Sequence, residues 1–500
     1  MLYRLVIALL GLASLALAAA ACNGTAGDLQ CVCQELRQAL PNANGTVFPS
    51  DGVIYEEFED VNYSAACKLP AACIVNPGTA QEVAEVMKIL TKYETQFAVR
   101  SGGHNYNPGF ASINESGVLI SLSELDTLTL ADNEKSIKVG SGTLWQDVYE
   151  LLVPNWLVAI GARVGNVGVG GLVLGGGLSY FSSAYGLAMD NVNSFEVVLA
   201  NGSIVNASFA NENADLYKAL RGGGSNFGIV TLYEIYTQPI ADVTIDARAY
   251  APNQTADFFK AFAQFQKQNQ TLRSSLTVQI LETGPTVLMV YTGDVEHPTE
   301  FNPFYAIKPY QSLPTTTDGT LLDILTIAAS RFTNDTDTRV YGETFSHVAD
   351  EGLLNDCYKI WVEETANLPA NVTGTWVPNP ISASVATLGK QNHGGNLLGL
   401  SDVAQVWNEP FITYTDPAHD ELVMSVMHNV TERCTAAATA KKLDLPYLFA
   451  NAAGMDQKVL QSYGNDSIAF MKTVAAKYDP TGVFQKLQKD GFLLRDVSMD

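Results

Sequence analysis

The sequence predicts an α+β fold of more than one domain, on three observations. Strand, helix and glycine turn alternate up to about residue 240. Two strand-like runs flank Asn201-Gly202, the two-residue turn of a hairpin. From about residue 241 the glycine turns thin out and longer amphipathic segments take over, which places a domain boundary there. At 500 residues the chain also exceeds one hydrophobic core, and its length suggests about three domains.

Taken in order, Thr79-Ala80-Gln81-Glu82 forms a capping box opening an amphipathic helix with Val83, Val86, Ile89 and Leu90 on one face. A strand from Phe97 to Arg100 runs into the turn Ser101-Gly102-Gly103, and further strands are expected at Val118 to Leu122 and Ser136 to Val139. Thr143-Leu144-Trp145-Gln146 caps a helix reaching about Leu152. The glycine-dense stretch Gly161 to Gly177 follows, then the hairpin of Phe195 to Ala200 and Ser203 to Ala207. A helix over Asp215 to Leu220 leads through Arg221-Gly222-Gly223-Gly224 to a strand from Ile229 to Thr237. Ala256 to Gln268 and Leu321 to Ala329 are amphipathic, and Ser467 to Tyr478 reads as a helix ended by Asp479-Pro480.

Composition narrows the partners. A formal net charge of −23 with no run of Lys or Arg argues against nucleic acid and against an anionic membrane surface. Met1 to Arg4, the apolar run Leu5 to Leu17 and the small residues Ala18 to Ala21 read as a secretory signal peptide, set apart from the fold as residues 1–20. No later segment approaches the roughly eighteen apolar residues of a membrane span. Asn-x-Ser/Thr acceptor sites are abundant, at Asn23, Asn44, Asn62, Asn114, Asn201, Asn206, Asn253, Asn269, Asn334, Asn371, Asn429 and Asn465. Cysteines at 22, 31, 33, 67 and 73 suit an oxidising compartment. We pair Cys33 with Cys73 and leave the other partners open, since spacing does not determine connectivity. A zinc site at Cys31-Val32-Cys33 lacks a second close pair with histidines nearby.

Glycine loops near residues 102, 170 and 223 let backbone amides converge on an anion and let the chain pass close to a flat ligand. Each alone is more simply a tight turn. Three within one domain raise the prospect of a large phosphate-bearing cofactor. Position 173 is valine and position 227 phenylalanine where a dinucleotide fingerprint needs its third glycine, so Rossmann and P-loop sites are disfavoured.

Arg100-Ser101-Gly102-Gly103-His104-Asn105-Tyr106 resembles the flavin-attachment loop of the vanillyl-alcohol oxidase/para-cresol methylhydroxylase (PCMH) superfamily, in its berberine bridge enzyme-like branch. Gly165 to Gly171, Tyr185 to Asn191, Arg221 to Val230 and Tyr478-Asp479-Pro480 match the same pattern in order. The resemblance covers about residues 60–240 and 445–490. It implies a PCMH-type FAD-binding domain over residues 21–240, returning at 456–500, and a substrate domain over 241–455 built on an antiparallel sheet covered by helices. It also implies FAD, bonded to His104. The implied cofactor-binding set is Arg100, Ser101, Gly102, Gly103, His104, Asn105, Gly165, Gly168, Gly170, Gly171, Gly223, Asn226, Ile229 and Asn451. No metal is expected.

Two departures matter. Many relatives attach the flavin a second time through a cysteine six positions before the paired glycines, and that position is Val164 here. Carbohydrate oxidases of the branch tend to carry an Asn-Tyr pair where this chain has Asn451-Ala452, which puts a sugar substrate in doubt. Val167 matches an oxygen gate at which valine accompanies oxidases. Tyr106 matches a substrate-facing tyrosine and is named for proton transfer or substrate orientation. His347, His393 and His428 have no motif context. The expectation is a secreted oxidase passing hydride from a small-molecule alcohol, amine or secondary metabolite to FAD, with dioxygen reduced to hydrogen peroxide. A carbohydrate oxidase and, from another class, a low-turnover flavin-carrying binding protein are the alternatives.

Overall fold

The computed structural model describes residues 28–42, 45–267, 272–329 and 337–498. The signal-peptide expectation and the acceptor sites at Asn23, Asn44, Asn269 and Asn334 lie outside the described residues. Helices and three sheets mix as the sequence predicts.

The first sheet runs Thr46–Val47, Cys73–Val75, Val118–Ser121, Phe97–Arg100, and its last three strands are parallel. Helix Ala80–Lys92 covers it through Val83, Val86, Met87 and Leu90. Thr79 caps that helix by accepting from Glu82 N at 3.1 Å, while Glu82 reaches back to Gly78 N at 2.7 Å. Cys33 and Cys73 form a disulfide that ties helix Leu29–Ala39 to this sheet.

The second sheet is antiparallel, in the order Leu128–Leu130, Ser136–Gly140, Ile229–Pro239, Val192–Val198, Ile204–Ser208. The hairpin's last strand pair is Val198 with Ile204, so the expected two-residue turn is instead a loop over 199–203, in which Leu199 N donates to Ser203 O and Gly202 takes a φ of 79°. Helix Trp145–Leu152 is not capped by Thr143. The amides a Thr143 cap would take are used elsewhere, Trp145 N donating to Val167 O at 3.0 Å and Gln146 N to Gly165 O at 2.9 Å, while Asp147 accepts from Leu144 N at 3.3 Å.

The third sheet has ten strands, all paired antiparallel, and they lie between Val243 and Leu445. Its long central strands alternate strictly. Leu276, Val278, Val287, Met289, Trp376, Val406 and Ile412 face one way and pack under helices Thr255–Lys267, Glu351–Thr365 and Asp420–Ala440. Phe258, Phe259, Phe262 and Phe265 supply much of that layer, each worth roughly 1.5–3 kcal/mol of burial. The other face looks toward the glycine loops.

A buried ion pair of the first 240 residues anchors a loop of the later segment through its arginine. Arg221 Nη2 meets Asp190 Oδ1 at 2.7 Å with both side chains fully buried. Arg221 also donates to the carbonyls of Met189, Asn392, His393 and Gly395, each at 3.2 Å. The pair thus clamps the turn before Gly222 to the Tyr185–Asn191 segment and to a loop of the larger sheet's helical layer.

Candidate active site

A cavity lies between the glycine loops and the open face of the ten-stranded sheet. Strand Phe97–Arg100 ends at its mouth and delivers Ser101 to Tyr106 into the wall. Gly168, Gly170, Gly171, Gly223, Ile229 and Asn451 line it too, with Val164 and Val167. The loops fit so closely that glycine is required. A Cβ on Gly102 would stand 2.6 Å from the Cα and N of Gly168.

The shape suits a phosphate-bearing flat cofactor. A Cβ on Gly171 or Gly224 would meet no protein atom within 4 Å, so both face open space. The amides of Gly102, Gly103 and His104 donate to no acceptor among the described residues, leaving donors for an anion. His104 stacks on Tyr63 with centroids 4.3 Å apart, and burial holds its pKa down to about 4. Its imidazole is therefore neutral near pH 7 and keeps a nucleophilic nitrogen.

Three residues of the expected set stand behind the wall. Arg100 is buried beneath the loop, its pKa lowered to about 10 by burial. Gly165 packs on Gln146, accepting its amide at 2.9 Å. Asn226 donates to Gly223 O at 2.8 Å and Phe492 O at 2.9 Å, and accepts from Leu494 N at 2.9 Å, so it ties the turn to the C-terminal return. Asn451 does similar work in the wall, accepting from Gly177 N at 3.0 Å and donating to Leu172 O at 3.2 Å. Asn105 accepts from Asn107 N at 2.7 Å.

Tyr106 donates to Ala452 O at 2.6 Å. Burial, followed by the neighbouring carboxyl of Glu409, holds its pKa well above the ordinary value. A phenol with a raised pKa is protonated near pH 7, so as it stands it can donate a proton rather than take one. Orientation of a bound molecule remains open to it.

Sequence reasoning missed Glu409, Asn379 and Arg163. Glu409 sits on strand Gln405–Tyr414, between Trp407 and Phe411 on the cavity face, and lines the wall. Asn379 Nδ2 donates to Glu409 Oε1 at 2.9 Å, and Arg163 Nη2 lies 3.9 Å from the same oxygen. Arg163 Nη1 donates to Asn379 Oδ1 at 2.7 Å. Burial raises the Glu409 pKa, against the lowering by Arg163 and Asn379. A carboxylate between Trp407 and Phe411 on one face of the strand was the available signal.

Comparison with known proteins places this geometry. A model of the FAD binding domain matches residues 71–208. The FAD-dependent monooxygenase yanF of Aspergillus niger is 39% identical over 453 residues, covering 90% of this chain and 78% of the relative. The FAD-dependent monooxygenase macF of Penicillium terrestre is 37% identical, covering 94% and 91%. In fold the chain is similar to berberine bridge enzyme from Eschscholzia californica, with a TM-score of 0.76 at 17% identity over 93% of this chain and 99% of that one. It is likewise similar to xylooligosaccharide oxidase from Myceliophthora thermophila, with a TM-score of 0.76 at 19% identity over 91% and 99%.

Proposed function

We propose a reaction from one premise: this chain belongs to the berberine bridge enzyme-like family of FAD-dependent oxidoreductases, with a PCMH-type FAD-binding fold. FAD is its cofactor and it is an enzyme, so the reading as a flavin-carrying binding protein is set aside. We infer that it is a secreted oxidase of a small-molecule alcohol or amine. When bound, FAD would supply a two-electron hydride acceptor that dioxygen could reoxidise with release of hydrogen peroxide.

Ser101 to His104, Gly170, Gly171 and Gly223 would hold the cofactor, His104 through a covalent bond. Val164 stands where a thiol for a second attachment would be, so among the described residues that wall offers His104 alone. The observation that carries the reading is Glu409. Only its Oε1 takes a protein donor among the described residues, so Oε2 is open to the cavity. A buried carboxylate with a raised pKa accepts the hydroxyl or amine proton that leaves the substrate as its C–H bond breaks. Tyr106 orients the substrate. Leu288, Val377 and Phe411 beside Glu409 support an apolar substrate over a sugar. Val167 in the wall is small enough to leave room for dioxygen.

The names of yanF and macF favour a second reading, monooxygenation. Turnover of an alcohol panel under ¹⁸O₂ separates the two. One hydrogen peroxide per product and no label in the product support the oxidase, whereas label in the product overturns it. Covalent attachment predicts flavin that stays with acid-precipitated protein, and that is lost to the supernatant in His104→Ala. Flavin released from the unaltered chain sinks that part.

Secretion is supported by the N-terminal segment, the Cys33–Cys73 disulfide and exposed acceptor sites at Asn201, Asn206, Asn253, Asn371, Asn429 and Asn465. Asn62 is not among them. It is buried and donates to Cys67 O at 3.0 Å, so a glycan cannot be held there.

A further inference from the structure

We propose that Arg163 selects the substrate, admitting an alcohol whose carbon skeleton also bears an acceptor oxygen, carboxylate or carbonyl, and disfavouring an amine. The proposal deepens the reading above and rests on the cavity being the substrate site. Arg163 lies on the segment between strand Leu157–Ala159 and helix Val169–Leu174, and its side chain is 17% exposed. Its own carbonyl accepts from Tyr180 Oη at 3.0 Å, which fixes the backbone at the cavity edge.

A guanidinium offers five N–H donors in a planar fork. Among the described residues one hydrogen bond is made, from Nη1 to Asn379 Oδ1. The 3.9 Å separation from Glu409 Oε1 is too long for a second. Asn379 stands between the two charges, accepting from Arg163 with its oxygen and donating to Glu409 with its nitrogen. The open donors of Arg163 and the open Oε2 of Glu409 therefore share one cavity, a proton acceptor beside an oxygen-recognising fork. Among the described residues of the wall, Arg163 is the one lysine or arginine, and His104 in the same wall is neutral. Glu409 is already faced by Arg163 and held by Asn379, so an alkylammonium entering this space meets a compensated carboxylate beside a fixed positive charge, while a carboxylate or carbonyl finds unsatisfied donors.

Three probes on one skeleton test this in the flavin-loaded enzyme: cinnamate, cinnamamide and cinnamylamine, each titrated against the visible spectrum of the bound flavin. Both oxygen-bearing probes are expected to bind more tightly than the amine. Cinnamate ahead of cinnamamide assigns the preference to an anion, and the reverse order assigns it to a neutral carbonyl. Arg163→Met should weaken the preferred oxygen probe about tenfold or more, the scale of one charge-assisted hydrogen bond. It should leave cinnamylamine unchanged or tighter, and Arg163→Lys should restore part of the preference. Flavin content confirms that each variant is folded. Cinnamylamine binding tightest to the unaltered enzyme, or an order indifferent to Arg163, overturns this proposal alone. No spectral response to any probe with flavin still bound overturns the substrate-site reading as well.

Discussion

Glu409 occupies a position where burial and function pull in opposite directions. Its strand turns Trp407 and Phe411 to the same face, so an apolar side chain would pack there at no desolvation cost. The carboxyl instead has its pKa raised by burial, held in check by Arg163 and the Asn379 amide. To accept a proton it must be ionised, so turnover should climb as pH rises through that elevated pKa. Glu409→Gln keeps the shape and removes the base. Steady-state turnover is expected to fall about 10²–10⁴-fold, with flavin content unchanged and the acid limb of the pH profile gone. Turnover within a few-fold of the unaltered enzyme would assign the proton elsewhere. The residues that were legible in the sequence, Ser101 to Tyr106, form one continuous loop whose glycines and histidine announce themselves together. Arg163, Asn379 and Glu409 do not. They converge only because Val377 pairs with Glu409 across adjacent strands and the Arg163 segment folds over that sheet face.

At the scale of elements, the sequence pattern located the longer helices and strands between residues 79 and 240, where period and punctuation agree, and missed short ones such as Val53–Glu59, Cys73–Val75, Leu128–Leu130 and Leu157–Ala159. In the elements it found, the errors fall at ends. Thr143 does not cap its helix because Trp145 N and Gln146 N donate to Val167 O and Gly165 O, a tertiary contact that local spacing does not encode. What spacing could not show at all is the contact of two loops. Gly102 and Gly168 meet backbone to backbone, and Ser101 Oγ donates to Ser141 O at 2.6 Å beside them. Gly102→Ala puts a methyl group into Gly168, which has no flexible side chain to move aside. The cost should be about 1–3 kcal/mol. Because the displaced amides are the ones left for an anion, flavin per polypeptide should drop with the melting temperature. Full flavin loading at an unchanged melting temperature would show that the two loops tolerate separation.

The whole molecule carries a built-in response to acid, set by His347. This residue lies on strand Phe345–Val348 of the large sheet, fully buried. Nδ1 lies 2.8 Å from Val348 O, an acceptor, so Nδ1 holds the proton. Nε2 then faces its surroundings unprotonated and without a partner among the described residues. Protonating it would bury a charge with nothing to receive it, and burial accordingly depresses the pKa to about 4. In the unfolded chain the ring titrates near 6.5. Between these values the unfolded state binds more protons than the folded one, so stability is complete above pH 6.5 and is lost as pH falls toward 4. The full shift corresponds to about 3 kcal/mol. Glu343 and Glu409 run the other way, because burial raises their pKa values and favours the protonated fold at low pH. The unaltered curve alone therefore mixes opposing contributions, and the comparison that isolates the histidine is with His347→Phe. Its ring fills similar space and cannot titrate. Urea unfolding of the flavin-loaded enzyme at pH 7 and pH 4.5 should show the unaltered protein losing more stability than the variant, by about 2–3 kcal/mol. Equal losses in the two proteins would mean that His347 accepts its proton in the folded state after all, through an acceptor reached by rotation of the ring.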